Sequence, residues 1–526
     1  MSLIDGTDLI DAGWTPGPEI SEALEKAAEY QTRGISDKKY LLKLLARDVP
    51  KSSPKLGVRE EAAPLGEAIA ATCALDEQNI AKVRKTMDEL LRMPRIARGV
   101  IMPDACPVGG GPATIPVGGA IAVENAIIPA AHSADICCSM YATFFDAGGA
   151  EVSKMLDHLM DSTRFGYGGR KADDLVHHPV LDEDVWDNKF LQGLEKHAQI
   201  HMADQGDGNH FAFLGSVRLD ETAIAALEKA GHNEMAGQLR AHGVPFESHV
   251  LVTHHGSRGL GAQLYKRGQK AAEKHTNKLA KGIPKAAAWL DFDTEIGEEY
   301  WAALQYIGRW TKANHQSIHA RFLERLDGAV ITEFGNEHNF VWRRGDHFLH
   351  GKGATPAWND EAGNPLLGLI PLNMASPILM VLGKDNEDYL SFCPHGAGRN
   401  VSRTATMKPF KDKKTGELDE VRVAESIAAS TQGIDVRWFY GKSDLSESPI
   451  GYKSAEQVKA QIQQFGLADI VAEIEPLGSI MAGDTGPAPW MSRKDVLSPK
   501  QVRQIGHRAE RRKTHQQLGH PDEWED

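Results

Sequence analysis

Through residue 98 the apolar positions recur at helical spacing, and the pattern predicts helices over 21–30, 37–47 and 76–91. The second of these carries the apolar set Leu41, Leu42, Leu44 and Leu45, and residues 57–64 read as a linker. From residue 99 the texture changes. Short β-branched runs at 100–101, 142–145, 249–253 and 329–332 alternate with Gly- and Pro-rich turns, and helices are expected over 220–242 and 297–326. Each of those runs is followed closely by a polar, His- or Gly-rich loop, and loops at strand ends are where sites collect. No internal repeat or low-complexity tract interrupts the pattern. The organisation expected is a helical N-terminal region (1–98), an α+β domain with mixed and antiparallel sheets (99–483) and a charged C-terminal arm (484–526). Within the arm, residues 502–517, with Arg503, Arg508, Arg511, Arg512 and Lys513, read as a charged helix or a tail outside the core.

Composition narrows the class only slightly. With 526 residues, 41% hydrophobic and 25% charged, the chain can bury a large core. No apolar run approaches the ~20 residues that span a bilayer. The N-terminus is acidic and lacks a basic-then-apolar signal, so a cytoplasmic protein with no membrane partner is expected. The net charge of −13 neither supports nor excludes a nucleic-acid substrate, because local patches act on phosphates. Five cysteines, two of them adjacent (Cys137 and Cys138), argue against a disulfide framework.

The candidate chemistry sits in a few short strings. Met102-Pro103-Asp104 precedes Pro116-Val117-Gly118-Gly119, and Asp135-Ile136-Cys137-Cys138 follows. Further on stand Gly208-Asn209-His210-Phe211, then His254-His255-Gly256-Ser257-Arg258-Gly259, His338-Asn339, and His395-Gly396-Ala397-Gly398-Arg399. Imidazole, thiolate and carboxylate donors on neighbouring rigid elements suit a divalent transition metal. Asp135 and Cys138 can share one turn of chain, and His210, His254 and His338 each lie beside or within a β-like run. The chain has 22 histidines, so any one of them alone is more simply an ordinary polar side chain. His255 should point away from His254, and Cys137 should pack in the core. The two Gly-rich strings each carry an arginine, Arg258 and Arg399, in what reads as a flexible small-residue loop suited to phosphate.

Taken in order over roughly 99–483, these strings resemble the RtcB family of RNA ligases. Lys352-Gly353-Ala354-Thr355 and Tyr452-Lys453 are similar to further family segments. The resemblance implies that Asp135, Cys138, His210, His254 and His338 bind two Mn²⁺ ions, with Cys138 bridging them. It makes His395 the nucleophile toward the α-phosphate of GTP, with Asp104 assisting at the RNA ends. Asn209, Arg258, Arg399, Gly396 and Gly398 would cradle phosphates, and Tyr452 would pack on the guanine. The implied partners are RNA ends bearing a 3′-phosphate or 2′,3′-cyclic phosphate and a 5′-hydroxyl, with an archease-like activator as a further one. A metal-dependent phosphoesterase or nuclease on the same scaffold, and a non-catalytic RNA-end-binding protein, are the competing readings.

The sequence also departs from the family pattern. Phe213 stands where the family usually has a guanine-reading Glu. The run Pro476-Leu477-Gly478-Ser479-Ile480-Met481-Ala482-Gly483 lacks the usual lysine. Cys106 replaces a histidine, and Leu372-Asn373-Met374-Ala375-Ser376 is a shortened loop. Metal and nucleophile positions are kept while base-reading positions change, which implies relaxed guanine specificity.

Overall fold

The computed structural model describes residues 3–484 apart from 15–17, 50, 52–55, 110, 167 and 413–416. The charged segment 502–517 lies outside the described residues. The architecture is α+β, and two sheets carry the residues of interest.

The larger sheet runs in the order Ala329–Glu337, Ser139–Asp146, Phe246–His255, Phe211–Leu219, Ala468–Met481, Ile378–Gly383, Leu367–Pro371, and all these neighbours pair antiparallel. Asp435–Trp438 joins Ala468–Met481 in parallel. Side chains alternate between faces along each strand. Met140, Ala142 and Phe144 pack with Ile224, Leu227 and Leu239 of two short helices. Phe145 and Leu251 pack the other way, with Ile318 and Phe322 of the long helix Glu295–Leu326. The second sheet has the order Asn339–Arg344, His347–Lys352, Val117–Glu124, Ile96–Cys106, Leu65–Glu67. The helix Ala74–Leu91 lays Val83, Met87 and Leu90 into the same core as Ile96 and Ile101.

The N-terminal helices Gly6–Asp11, Pro18–Thr32 and Lys38–Asp48 enclose a core of their own, built on Leu9, Trp14, Ala27, Leu41 and Leu45. Among the described residues no helix is long and apolar enough to cross a membrane.

Two local expectations differ from the structure. The single helix expected over 220–242 is a pair, Glu221–Lys229 and Asn233–Ala241. Gly231 takes a left-handed φ of 86° between them and ends the first. The segment 256–259 is not a flexible loop, because Arg258 opens a 22-residue helix, Arg258–Leu279. That helix buries Gly261, Gly268, Ala272 and Thr276 along with two leucines. Its buried face is made mostly of small residues, so it left no apolar stripe to read.

Candidate active site

Strand register decides which side chains meet. In the large sheet, Ser139 pairs with His255 and with Glu337, while His254 pairs with both Met140 and Phe211. Four antiparallel strands therefore end at one level. The residues at those ends (Cys138, His210, His254 and His338) are brought side by side although 200 positions separate the first from the last. Backbone bonds lock the crossing loops: His338 N–H donates to the Cys138 carbonyl at 2.9 Å, and Cys137 N–H donates to that of Asn339 at 2.7 Å. Asp135 fits beside His210 because residue 256 is glycine, whose missing Cβ leaves the room its carboxylate occupies. His255 turns to the opposite face and stacks on His315, ring centroids 3.5 Å apart.

The donor atoms form two overlapping groups. Cys138, His254 and His338 make one, and Asp135, Cys138 and His210 make the other. The Cys138 sulfur lies 3.1 Å from His254 Nε2 and 3.6 Å from His210 Nε2. His254 Nε2 faces His338 Nε2 at 3.2 Å, and His210 Nε2 lies 2.7 Å from Asp135 Oδ2. Ligands about 2.0–2.3 Å from a common ion stand roughly 3.0–3.6 Å from one another. Three of the four observed edges fall in that range and fit a metal, and the His210–Asp135 edge is shorter, at hydrogen-bond distance. His254 Nδ1 donates to the Asn209 carbonyl at 3.2 Å, which leaves its Nε2 lone pair directed into the cluster.

Electrostatics point the same way. Burial, then the neighbouring His210, pushes His254 down to about 3, so it is a neutral donor at physiological pH. Burial, followed by the Asp135 charge, pushes the Cys138 thiol well up. A bound cation would reverse that and favour the thiolate. Burial also raises the Asp135 carboxyl, but His210 and Arg258 outweigh it and hold it ionised. Manganese and zinc are both compatible with this donor set.

His395 follows the short strand Phe392–Pro394, which pairs with Ala354–Pro356. Its ring centroid is 5.0 Å from that of His338. Its Nδ1 sits 2.5 Å from Asp104 Oδ2, in a fully buried carboxylate. A carboxylate accepts, so Nδ1 carries the proton and Nε2 presents a lone pair. Gly398, at φ 70°, is required because a Cβ would collide with the Asp104 carbonyl. Gly396 is similarly close, with a would-be Cβ 2.8 Å from the Pro371 carbonyl.

All thirteen residues singled out from the sequence come to one place except Asp104, which stands directly behind His395. The other twelve line a single cavity of about 870 Å³: Asp135, Asn209, His210, Cys138, His254, Arg258, His338, His395, Gly396, Gly398, Arg399 and Tyr452. Arg258 donates from Nη1 to His210 Nδ1 at 3.3 Å. Arg399 donates to the carbonyls of Val401 and Ser446 and to Thr406 Oγ1, and it stacks 4.9 Å from the centre of the Tyr452 ring. It therefore builds the wall as well as facing the cavity. Phe213 and Met481 line the same cavity, on adjacent strands.

Sequence reasoning missed three contributors. Glu447 is buried in the cavity wall, where it accepts from Arg403 Nε at 2.8 Å and from the Tyr452 hydroxyl at 2.9 Å. Lys453 is buried between Asp76, at 2.9 Å, and the Pro103 carbonyl, at 3.2 Å, and so braces the Asp104 segment. His201 lines the cavity with its Nδ1 2.7 Å from the buried Asp204. Only Lys453 carried any signal, as part of the Tyr452-Lys453 string.

Known proteins arrange themselves around the same region. The family model described as tRNA-splicing ligase RtcB matches residues 182–482. A tRNA-splicing ligase RtcB of Thermococcus kodakarensis is 25% identical over 77% of this chain and 92% of its own length. An RNA-splicing ligase RtcB1 of Escherichia coli is 24% identical over 72% of this chain and 90% of its own. A tRNA-splicing ligase RtcB of Methanocaldococcus jannaschii is 23% identical over 62% of this chain but only 35% of its own length. The family match spans more than half of the chain, including His210, His254, His338 and His395 with the strands that align them, and the chain belongs to the RtcB family.

Proposed function

We propose that this chain is an RNA ligase that joins a 3′-phosphate or 2′,3′-cyclic phosphate end to a 5′-hydroxyl end through a histidine–nucleotide intermediate. The observation that carries the reading is the Asp104–His395 pair at 2.5 Å, set beside two overlapping groups of metal donors. A neutral imidazole with one nitrogen tied to a carboxylate is a competent nucleophile.

GTP enters as a substrate. The His395 Nε2 lone pair attacks its α-phosphorus, the bond to the bridging oxygen breaks, and pyrophosphate leaves. Asp104 holds the ring while positive charge grows on it. A 2′,3′-cyclic end is first opened by water, with cleavage of the P–O2′ bond. The RNA 3′-phosphate then takes the nucleotide from His395, breaking the N–P bond. Finally the 5′-hydroxyl attacks the activated 3′-phosphate, GMP leaves, and the phosphodiester is formed. Asp135, Cys138, His210, His254 and His338 would hold two manganese ions, with Cys138 common to both. Bound there, the ions would neutralise charge developing on the phosphates. Asn209 and Arg258 would orient phosphates, and Tyr452 would pack on the base.

A phosphoesterase on this scaffold would need the metal donors but no side-chain nucleophile, so the carboxylate-backed His395 favours transfer over hydrolysis. A non-catalytic RNA-end binder would need neither. A cytoplasmic setting and an archease-like activator accompany this reading. The test is incubation with Mn²⁺ and α-labelled GTP, followed by detection of an acid-labile protein–nucleotide adduct and by ligation of RNA with the stated ends. Absence of both with the metal-loaded protein, alongside release of inorganic phosphate from the RNA ends, would favour the hydrolase instead.

A further inference from the structure

The helix Arg258–Leu279 leaves the active-site cavity and runs outward. Arg258, Gly259 and Ala262 at its start line that cavity. Beyond them, Lys266, Lys270, Lys274 and Lys278 recur every fourth residue. That spacing places them on one inclined row, with a rise of about 6 Å per step. The last three, with Arg267 and Lys189, line a separate groove of about 430 Å³ against the helix Glu295–Leu326. No carboxylate lines the groove, although the whole chain carries a net charge of −13.

Several acidic groups around it are already matched. Glu295 and Glu299 bind Lys189, Asp11 binds Lys278 at 3.2 Å, and Asp291 binds His275 at 3.0 Å and Arg95 at 2.6 Å. Glu273, on the same helix, pairs with Lys285 at 3.7 Å. Arg267 is held by the carbonyls of Phe190 and Gln192, both at 2.9 Å. Lys266, Lys270 and Lys274 are exposed and have no ion-pair partner among the described residues. Three like charges on one row repel one another, and a polyanion with regularly spaced charge would offset that cost.

We propose that this row and groove form a track for the RNA phosphate backbone, outside the catalytic cavity and continuous with it through Arg258. The proposal rests on the RNA-ligase reading for the identity of the polyanion. Lys270 and Lys274 lie about 18 and 24 Å along the axis from Arg258. The track would therefore hold the body of an RNA whose reacting end sits by His395. It would select for length and not for sequence, since lysines on phosphates read no bases.

The test uses the full chain and its K266Q/K270Q/K274Q variant, whose substitutions are all on the exposed face and distant from the catalytic residues. Fluorescence anisotropy is recorded across salt concentrations with two RNAs carrying the same 3′-phosphate. One is a dinucleotide that ends inside the cavity, and the other is a hairpin long enough to reach Lys274. For the hairpin, the variant should lose about two units of salt slope, at roughly 0.7 to 0.9 per phosphate contact. Extrapolated from 1 M, that slope corresponds to binding weaker by roughly a hundredfold at 0.1 M salt. For the dinucleotide, affinity and slope should not change, and GTP labelling should stay at the wild-type level. Unchanged hairpin binding would overturn the proposal, as would equal losses on both RNAs. Because the titration requires no nucleotidyl transfer, failure of the histidine–nucleotide reading would appear in the labelling assay alone.

Discussion

Asp104 Oδ2 accepts twice from His395, from the backbone N–H at 3.2 Å and from the ring Nδ1 at 2.5 Å. The two bonds fix both the position of the residue and the direction in which its Nε2 points. Removing the carboxylate frees the ring to rotate and to take the other tautomer. Asp104→Ala should lower the rate of nucleotide labelling on the order of 10²–10⁴-fold. His395→Ala should abolish labelling outright. Neither residue belongs to the metal-donor groups, so metal content measured by mass spectrometry should match wild type in both variants. Persistent labelling of His395→Ala would remove it as the nucleophile.

Cys138 is the one donor shared by the two candidate metal groups. Cys138→Ala should therefore lower the occupancy of both ions, whereas His338→Ala and His210→Ala should each affect one group more than the other. Dialysis against Mn²⁺ followed by elemental analysis would check this. Full retention of metal by Cys138→Ala would count against a bridging thiolate. Chelation of the wild type should also lower its stability, by about 2.7 kcal/mol if free metal had stood at about 100 times Kd.

Phe213 and Met481 put a ring and a thioether on the cavity wall. A pocket that pairs with polar edges can reject an analogue by about 10⁴-fold or more, whereas apolar walls manage roughly 10–200-fold. Labelling with α-labelled ATP, CTP and UTP should therefore lie within about two orders of magnitude of GTP. Complete inertness of all three would show that guanine is read by other groups.

Acid should destabilise the fold through buried histidines that are not among the metal donors. Burial pushes His132 down to about 4, and His319 and His350 down to about 3. All three stay neutral in the folded chain, whereas the unfolded chain takes up a proton near pH 6.5. Their contribution is fully present above that pH and is lost as pH falls toward 4 and then 3. Each adds up to about 1.4 kcal/mol of destabilisation per pH unit in that window. Urea midpoints measured with chelator present should fall steadily from pH 7 to pH 5. A flat profile over that interval would show that these groups open to water before the fold does.

What could be read from the chain itself was local chemistry and order. The strings around Asp135, His210, His254 and His395 named the donor types, and the strands that follow Cys138 and lead to His254 and His338 appeared as short β-branched runs, whereas Phe211–Leu219 and Phe392–Pro394 did not. Even the alternation that turns His255 away from His254 followed from the pleat. The helix Arg258–Leu279 could not be read, because Gly261, Gly268 and Ala272 form much of its buried face and leave no apolar period.

Only the tertiary structure decided which of these groups meet. Convergence of Cys138, His210, His254 and His338 depends on antiparallel register, in which Phe211 and Met140 both stand opposite His254. Register is a property of pairs of strands, and a one-residue slip would send every side chain to the other face. Glu447 behind Tyr452, and Lys453 between Asp76 and Pro103, belong to the same class. Each partnership joins groups on separately folded segments. Their mutual attraction is expressed only once the packing of those segments has removed them from water, and no period or spacing in a single chain encodes that event.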